Sequence, residues 1–153
     1  MRRIGLTVAI VSPQPELADY KLVVLPGLPH VEPALLDQLK SCSGQVLILC
    51  RSGSKTESFQ LPPNLAPGLL QKFMALKVTR VESLREGIVE DVDLDGAQYA
   101  VQRWREAIET ALPVRASYAD GAPFWIRENR FSYLAGWPEG ELLAAVLADL
   151  CRE

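Results

Sequence analysis

The sequence predicts an α/β domain built on one open sheet, parallel in its first half and more antiparallel in its second. Three observations carry this. Residues 21–50 read as strand, helix and strand; the pattern from Lys77 onward alternates at the period of a half-buried strand; and the chain closes on an amphipathic helix. With 153 residues and 48% hydrophobic composition, one domain is expected, and a domain of this size buries roughly two-thirds of the surface its unfolded form exposes. No repeat, linker or low-complexity stretch divides the sequence.

Leu6 to Val11 and Lys21 to Leu25 are short β-branched runs bounded by Pro13, Pro15, Pro26 and Gly27, so each is expected as a buried strand. Val31 to Ser41 sets Val31, Leu35, Leu36 and Leu39 on one helical face, with Glu32 and Pro33 in the first turn, where acid and proline are favoured. Gly44 stops the helix, and Val46 to Cys50 is again a continuous apolar strand, completing a right-handed βαβ unit. Residues 51–66 are polar and punctuated by Ser52, Gly53, Ser54, Ser58, Pro62 and Pro63. A connection of that length tends to be functional or interface-forming. Pro67 to Leu76 is expected as a short amphipathic helix that packs Leu69, Leu70, Phe73 and Met74.

Beyond Lys77 the apolar positions Val78, Val81 and Leu84, then Ile88, Val89 and Val92, then Tyr99, Val101 and Trp104 indicate several strands rather than further βαβ units. Trp104 to Leu112 fits a helical face as well as a strand; the strand is preferred, ending near Arg105. Tyr118-Ala-Asp-Gly-Ala-Pro123 is a hairpin signal, because Asp-Gly supplies the positive φ that a tight two-residue turn requires. Pro123 to Arg127 and Arg130 to Ala135 flank a second turn at Glu128-Asn129. Glu139 to Cys151 then forms a helix, entered through Pro138, with Leu142, Leu143, Val146, Leu147 and Leu150 on its apolar face.

The charge balance, 16 Lys+Arg against 19 Asp+Glu, gives −3 and no electrostatic footprint for nucleic acid or an anionic membrane. The longest apolar runs fall far short of the roughly 20 residues a membrane helix needs, and the N-terminus lacks a signal-peptide apolar region, so a cytoplasmic protein is expected. Cys42, Cys50 and Cys151 are odd in number and form no CxxC pair, which argues against a disulfide framework or a structural zinc site. No metal or cofactor is expected.

Cys50 is the one tempting nucleophile, because it closes a buried strand ahead of Arg51, Ser52 and Gly53, where doubly wound sheets gather ligands and nucleophiles. A nucleophile elbow needs small residues two before and two after the nucleophile; Ile48 and Ser52 stand there, and only the second is small. His30, the sole histidine, is the candidate base. A Cys50–His30 dyad is therefore the enzymatic alternative, a small cysteine-dependent amidotransferase- or hydrolase-like enzyme. The preferred reading makes Cys50 the last inward side chain of its strand and His30 a partly exposed loop residue. Glu86, Glu90, Asp91, Asp93 and Asp95 read as a solvated acidic turn, since the Ca²⁺ loop pattern fails for want of a midway glycine and a closing glutamate. Arg51 to Lys55 has too few glycines for a phosphate loop. Trp104, Trp125 and Trp137 leave a sugar-binding module as a further alternative, though scattered aromatics are more often packing. The loop residues Arg51, Ser52, Gly53 and Phe59 are the candidate interface or ligand residues.

Several motifs in order resemble the middle, trimerisation domain of family 42 β-galactosidases. Leu17-Ala-Asp-Tyr-Lys-Leu-Val-Val-Leu-Pro26 is similar to that family's run in which a tyrosine introduces a strand ending in proline. Gly44-Gln-Val-Leu-Ile-Leu-Cys-Arg-Ser-Gly53 resembles its next strand and the arginine-serine-glycine loop behind it. Pro67-Gly-Leu-Leu70, Val81-Glu-Ser-Leu84, Trp104-Arg-Glu106, Tyr118-Ala-Asp-Gly121 and Asn129-Arg-Phe131 follow in the family's order and approximate spacing. The resemblance covers nearly the whole chain. It implies a three-layer, flavodoxin-like sheet similar to class I glutamine amidotransferases without their catalytic cysteine and histidine. It also implies a homo-oligomer, a trimer in the family, whose catalytic glutamates lie in a preceding (β/α) barrel that hydrolyses terminal β-D-galactosides. No catalytic residue carries over. The sequence departs from the family at two places: Met1 to Val8 resembles the end of the family's first helix running into its second strand, so the usual opening strand and helix are expected to be missing, and Arg130-Phe-Ser132 replaces a glycine-lysine-glycine ahead of Tyr133. An uncovered sheet edge invites self-association.

Overall fold

In the computed structural model, which describes residues 5–12 and 16–152, the strand–helix–strand unit forms as β1 (Leu22–Leu25), α1 (Pro33–Ser41) and β2 (Gln45–Leu49). Proline in the first turn of α1 removes an N–H that has no intrahelical partner there, and Leu35, Leu36 and Leu39 are buried on the face turned to the core. β1 and β2 run parallel, Leu22 opposite Gln45, and Val46 to Leu49 are buried, as a strand covered on both faces requires.

The second half supplies β3 (Leu76–Ser83), β4 (Val89–Leu94), β5 (Ala97–Thr110), β6 (Val114–Tyr118), β7 (Pro123–Glu128), β8 (Phe131–Leu134), β9 (Gly136–Pro138) and α2 (Gly140–Leu150). Among the described residues the nine strands form one sheet in the order β1-β2-β8-β7-β6-β4-β5-β3, with β9 also paired to β5. β8 returns parallel to β2, while the other pairs beyond it are antiparallel. The chain is thus a mixed α/β domain on a single sheet. Its centre is filled by Leu47, Ile48, Phe124, Trp125, Ile126 and Tyr133, all fully buried, and each large apolar side chain removed from water contributes about 1.5–3 kcal/mol. Leu142, Val146, Leu147 and Leu150 of α2 join the same core.

Four expectations need correction. Leu6 to Val11 forms no strand: among the described residues none pairs with the segment, and Ile10 is 98% exposed. The helix expected over Pro67 to Leu76 shrinks to a 3₁₀ turn at Gly68–Lys72, since Gly68 sits at φ +59, outside the helical region. β5 continues to Thr110, past Arg105, held by the long antiparallel ladder with β3. The second hairpin turns at Asn129-Arg130, one residue later than expected, with Asn129 at φ +53. The closing helix matches the reading, and the first hairpin falls where expected but with a three-residue loop, Ala119 to Gly121, closed by Tyr118 and Ala122, in which Gly121 takes the positive φ and Asp120 does not. The expected helix end at Met1 to Ile4 lies outside the described residues, as do Pro13 and Pro15.

Candidate functional site

β2 ends at Leu49 and the chain turns sharply through Cys50, Arg51, Ser52 and Gly53. Ser52 closes the turn twice onto the Leu49 carbonyl, through its N–H at 3.3 Å and its hydroxyl at 2.8 Å. The residue in the left-handed region is Arg51, at φ 71, so this strand-end elbow raises Arg51 and leaves Cys50 in the core. Glu106 of β5 holds the turn from below: one carboxylate oxygen accepts the Arg51 backbone N–H at 3.0 Å and the other accepts the Tyr133 hydroxyl at 2.6 Å. The Arg51 guanidinium lies over the Trp104 ring, 5.2 Å from its centroid, and 3.9 Å from Glu106.

Burial dominates the electrostatics of this cluster. Desolvation pushes the Glu106 carboxyl above its usual range, against the opposing pull of the Tyr133 and Arg51 hydrogen bonds and the Arg51 charge. Burial and the neighbouring Glu106 push the Cys50 thiol up to about 12, with Arg51 only partly compensating. A thiol so shifted is neutral at physiological pH. His30 is half-buried, its backbone bridged to Lys55, and its Nδ1 is buried without a hydrogen-bond partner. Among the described residues no hydrogen bond joins Cys50 to His30. The carboxylate beside Cys50 has both oxygens engaged. What the cluster does chemically is fix an arginine against an aromatic face at the carboxyl edge of the parallel strands.

The loop that follows is tied down at its neck. Gly53 donates to the Leu28 carbonyl and Lys55 to the Pro29 carbonyl, both at 2.9 Å, so the loop runs along the segment that leaves β1. Gly53 is at φ +63, and a Cβ there would overlap the Pro67 carbonyl oxygen. Only glycine fits both demands. Further out, Phe59 donates to Thr56, Thr56 donates to Gln60, and Gln60 donates to the Thr56 hydroxyl. This turn holds Phe59 at φ 59 with the residue 71% exposed, beside the equally exposed Leu61. Leu28, Pro29, His30, Glu32, Leu35 and Phe59 line an open pocket of about 260 Å³. The structure thus sets His30 and Phe59 in one pocket, and Arg51 with Ser52 and Gly53 at the loop's root.

The other candidates are absorbed by structure. Glu90 and Asp120 pair with Arg105, and Asp95 pairs with Arg115. Asp93 accepts from the Gly96 N–H and from Gln98. Among the described residues no group of three or more His, Cys, Asp or Glu is placed to hold a metal ion. Trp125 is fully buried, Trp104 lies beneath Arg51, and Trp137 packs beside Gly27. Glu106 is the residue that sequence reasoning missed. Arg103 at φ 64, with a register shift against β9 between Gln102 and Arg105, breaks the strand's alternation. Val101 and Glu106, of opposite parity, therefore both point inward.

A sequence profile described as the β-galactosidase trimerisation domain matches residues 1–153. The chain is 44% identical over its whole length to β-galactosidase BgaA of a Thermus species and 41% identical to a β-galactosidase of Thermus thermophilus. It spans 24% of the length of each. Among solved structures it is similar to the β-galactosidase of the psychrophilic Marinomonas ef1, with a TM-score of 0.93 and 38% identity over 97% of this chain and 23% of that one. The haloarchaeal β-galactosidase of Halorubrum lacusprofundi superposes with a TM-score of 0.83 at 29% identity, covering 93% of this chain and 23% of its own. The chain belongs to the β-galactosidase trimerisation domain family.

Proposed function

We propose that this chain is a non-catalytic assembly domain that joins copies of itself, three by the family's description, and that it serves a larger β-galactosidase whose acid/base carboxylates lie in a separate barrel. The observation that carries the reading is the loop beyond the elbow. A backbone fixed in the left-handed region holds an aromatic ring out in water, next to an apolar pocket, an arrangement that gains nothing for an isolated domain and a good deal for an interface. Cys50 supports the non-catalytic half of the reading, as a neutral core thiol. The parallel strands β1, β2 and β8 with the elbow after β2 fit an amidotransferase-like sheet in which an arginine takes the raised position. The free thiols of Cys42, Cys50 and Cys151 support a reducing, cytoplasmic setting.

Size-exclusion chromatography with light scattering, combined with an assay on a chromogenic galactoside, tests this directly. The expected result is a concentration-dependent oligomer without turnover. Phe59→Asp should weaken association at least about ten-fold, the loss expected from one desolvated aromatic contact. A strictly monomeric protein, or one that turns over the galactoside, overturns the reading.

A further inference from the structure

The run Arg51-Ser-Gly-Ser-Lys55 follows β2 at the carboxyl edge of the parallel strands, yet its backbone is not free to cradle an anion. Four of its five N–H groups are spent: Arg51 donates to Glu106, Ser52 to the Leu49 carbonyl, Gly53 to the Leu28 carbonyl and Lys55 to the Pro29 carbonyl. The Arg51 side chain is in the opposite condition. Arg105, Arg115 and Arg130 are also part-buried, and each reaches oxygen acceptors: Glu90 and Asp120, Asp95, and the carbonyls of Leu39, Lys40 and Gly44. Arg51, its side chain 29% exposed, donates no side-chain hydrogen bond to any described residue. Glu106 is 3.9 Å from the guanidinium, outside hydrogen-bond reach, and its two oxygens already accept from the Arg51 backbone N–H and the Tyr133 hydroxyl. The group is nevertheless fixed in place. A left-handed backbone at φ 71 aims it, and the Trp104 ring carries its face, 5.2 Å from the ring centroid.

We infer that Arg51 is a carboxylate-binding site: the edge of its guanidinium pairs with a planar monoanion while its face stays on Trp104. A rigid fork of N–H donors matches the two oxygens of a carboxylate, and holding the fork in advance removes the ordering cost that weakens most surface ion pairs. A phosphate dianion fits less well. It calls for further donors, which the spent backbone does not supply, and a Glu106 carboxylate 3.9 Å from the guanidinium repels a second negative charge. The carboxylate arrives either free, as a small organic acid, or on an Asp or Glu side chain of a neighbouring chain. The site itself is independent of the assembly proposed above.

Acetate titrated into the full chain at constant ionic strength, with chloride as the balancing ion, tests the site. Binding is read from the NMR signals of the Arg51 side-chain N–H, identified by its loss in Arg51→Gln, and of the Trp104 indole N–H. A saturable shift with a dissociation constant of about 1–10 mM is expected, and inorganic phosphate should bind more weakly. Read at Trp104, Arg51→Gln should weaken acetate at least about ten-fold, and Arg51→Lys should not restore it, because an ammonium lacks the fork. At about pH 8, Glu106→Gln removes the competing charge and should tighten acetate at least about two-fold, a gain that a purely structural arginine would not show. Light scattering during the same titration identifies the source. An oligomer dissociated by acetate but not by chloride assigns the carboxylate to a neighbouring chain; an unchanged size assigns it to a free acid. A monomer that binds acetate keeps the site and overturns only the assembly. A Trp104 response equal in the parent and Arg51→Gln, or no saturation by about 100 mM acetate, overturns the site.

Discussion

Arg51 and Phe59 belong to one loop, and both are non-glycine residues held in the left-handed region, at φ 71 and φ 59. Their surroundings are opposite. The Arg51 backbone is bound from beneath by a buried carboxylate and its guanidinium rests on Trp104, so its strain is compensated inside the domain. The Phe59 turn closes only on Thr56 and Gln60, and its ring is left in solvent. One strained residue anchors the loop to the core. The other presents apolar surface, and its compensation has to come from outside the domain.

The neck of the loop should break this contrast most forcefully. At Gly53 a side chain meets both an unfavourable backbone region and the Pro67 carbonyl, and backbone is less able to give way than a side chain. Gly53→Ala is therefore expected to lower the unfolding free energy by about 3 kcal/mol or more, read from urea denaturation. Phe59→Asp, which alters an exposed position, should change the same quantity by no more than about 0.5 kcal/mol. If the two variants destabilise alike, the loop is not anchored where the hydrogen bonds from Gly53 and Lys55 place the anchor.

The buried half of the contrast is sharpened by pH. Burial raises the folded Glu106 carboxyl above its unfolded value of about 4.3, so the folded protein holds that proton more tightly than the unfolded chain does. The resulting stabilisation is complete below the unfolded value and is lost as pH rises through the raised folded value. Glutamine does not titrate. Glu106→Gln should therefore gain stability relative to the parent as pH climbs through that window and show a constant difference above it. Urea midpoints measured in steps from about pH 4 to pH 8 check this; a difference that does not move with pH would mean that the carboxyl is solvated, contrary to its buried hydrogen bonds with Arg51 and Tyr133.

The same contrast explains what the sequence made legible. Leu22–Leu25, α1 and β2 could be read because local pattern and tertiary role agree: a continuous apolar run becomes a strand buried on both faces, and a 3.6-residue stripe becomes a packed helix. The place of the Asp120-Gly121 hairpin was readable for the same reason, though not its three-residue loop. Glu106 was not, because the bulge at Arg103 inverts the parity on which strand reading depends. Nor was the raised position of Arg51, which follows from a single backbone dihedral rather than from residue types around Cys50. The strand expected at Leu6 to Val11 failed differently. Its residues favour a strand, but a strand is a property of a pair, and among the described residues no second member pairs with it.

Thiol accessibility gives the smallest effect and the finest resolution. In the native protein a maleimide at about pH 8 should label Cys151 quickly and leave Cys42 and Cys50 unmodified, since Cys151 alone of the three free cysteines is exposed. In denaturant all three should react. Cys50 has two barriers, lack of access and a thiol pushed up to about 12, chiefly by desolvation and then by Glu106. Glu106→Gln relieves only the smaller, Glu106 part of the second and leaves the desolvation and the first barrier in place, so native Cys50 should remain unlabelled in that variant. Gly53→Ala acts on the first barrier by loosening the turn that covers the thiol, and Cys50 labelling should accelerate there well before the protein unfolds globally. Phe59→Asp should leave the Cys50 rate unchanged even as the oligomer weakens. If Phe59→Asp speeds Cys50 labelling as much as Gly53→Ala does, then assembly itself holds the elbow closed, and the two halves of the loop are one cooperative unit rather than an anchor and a contact surface.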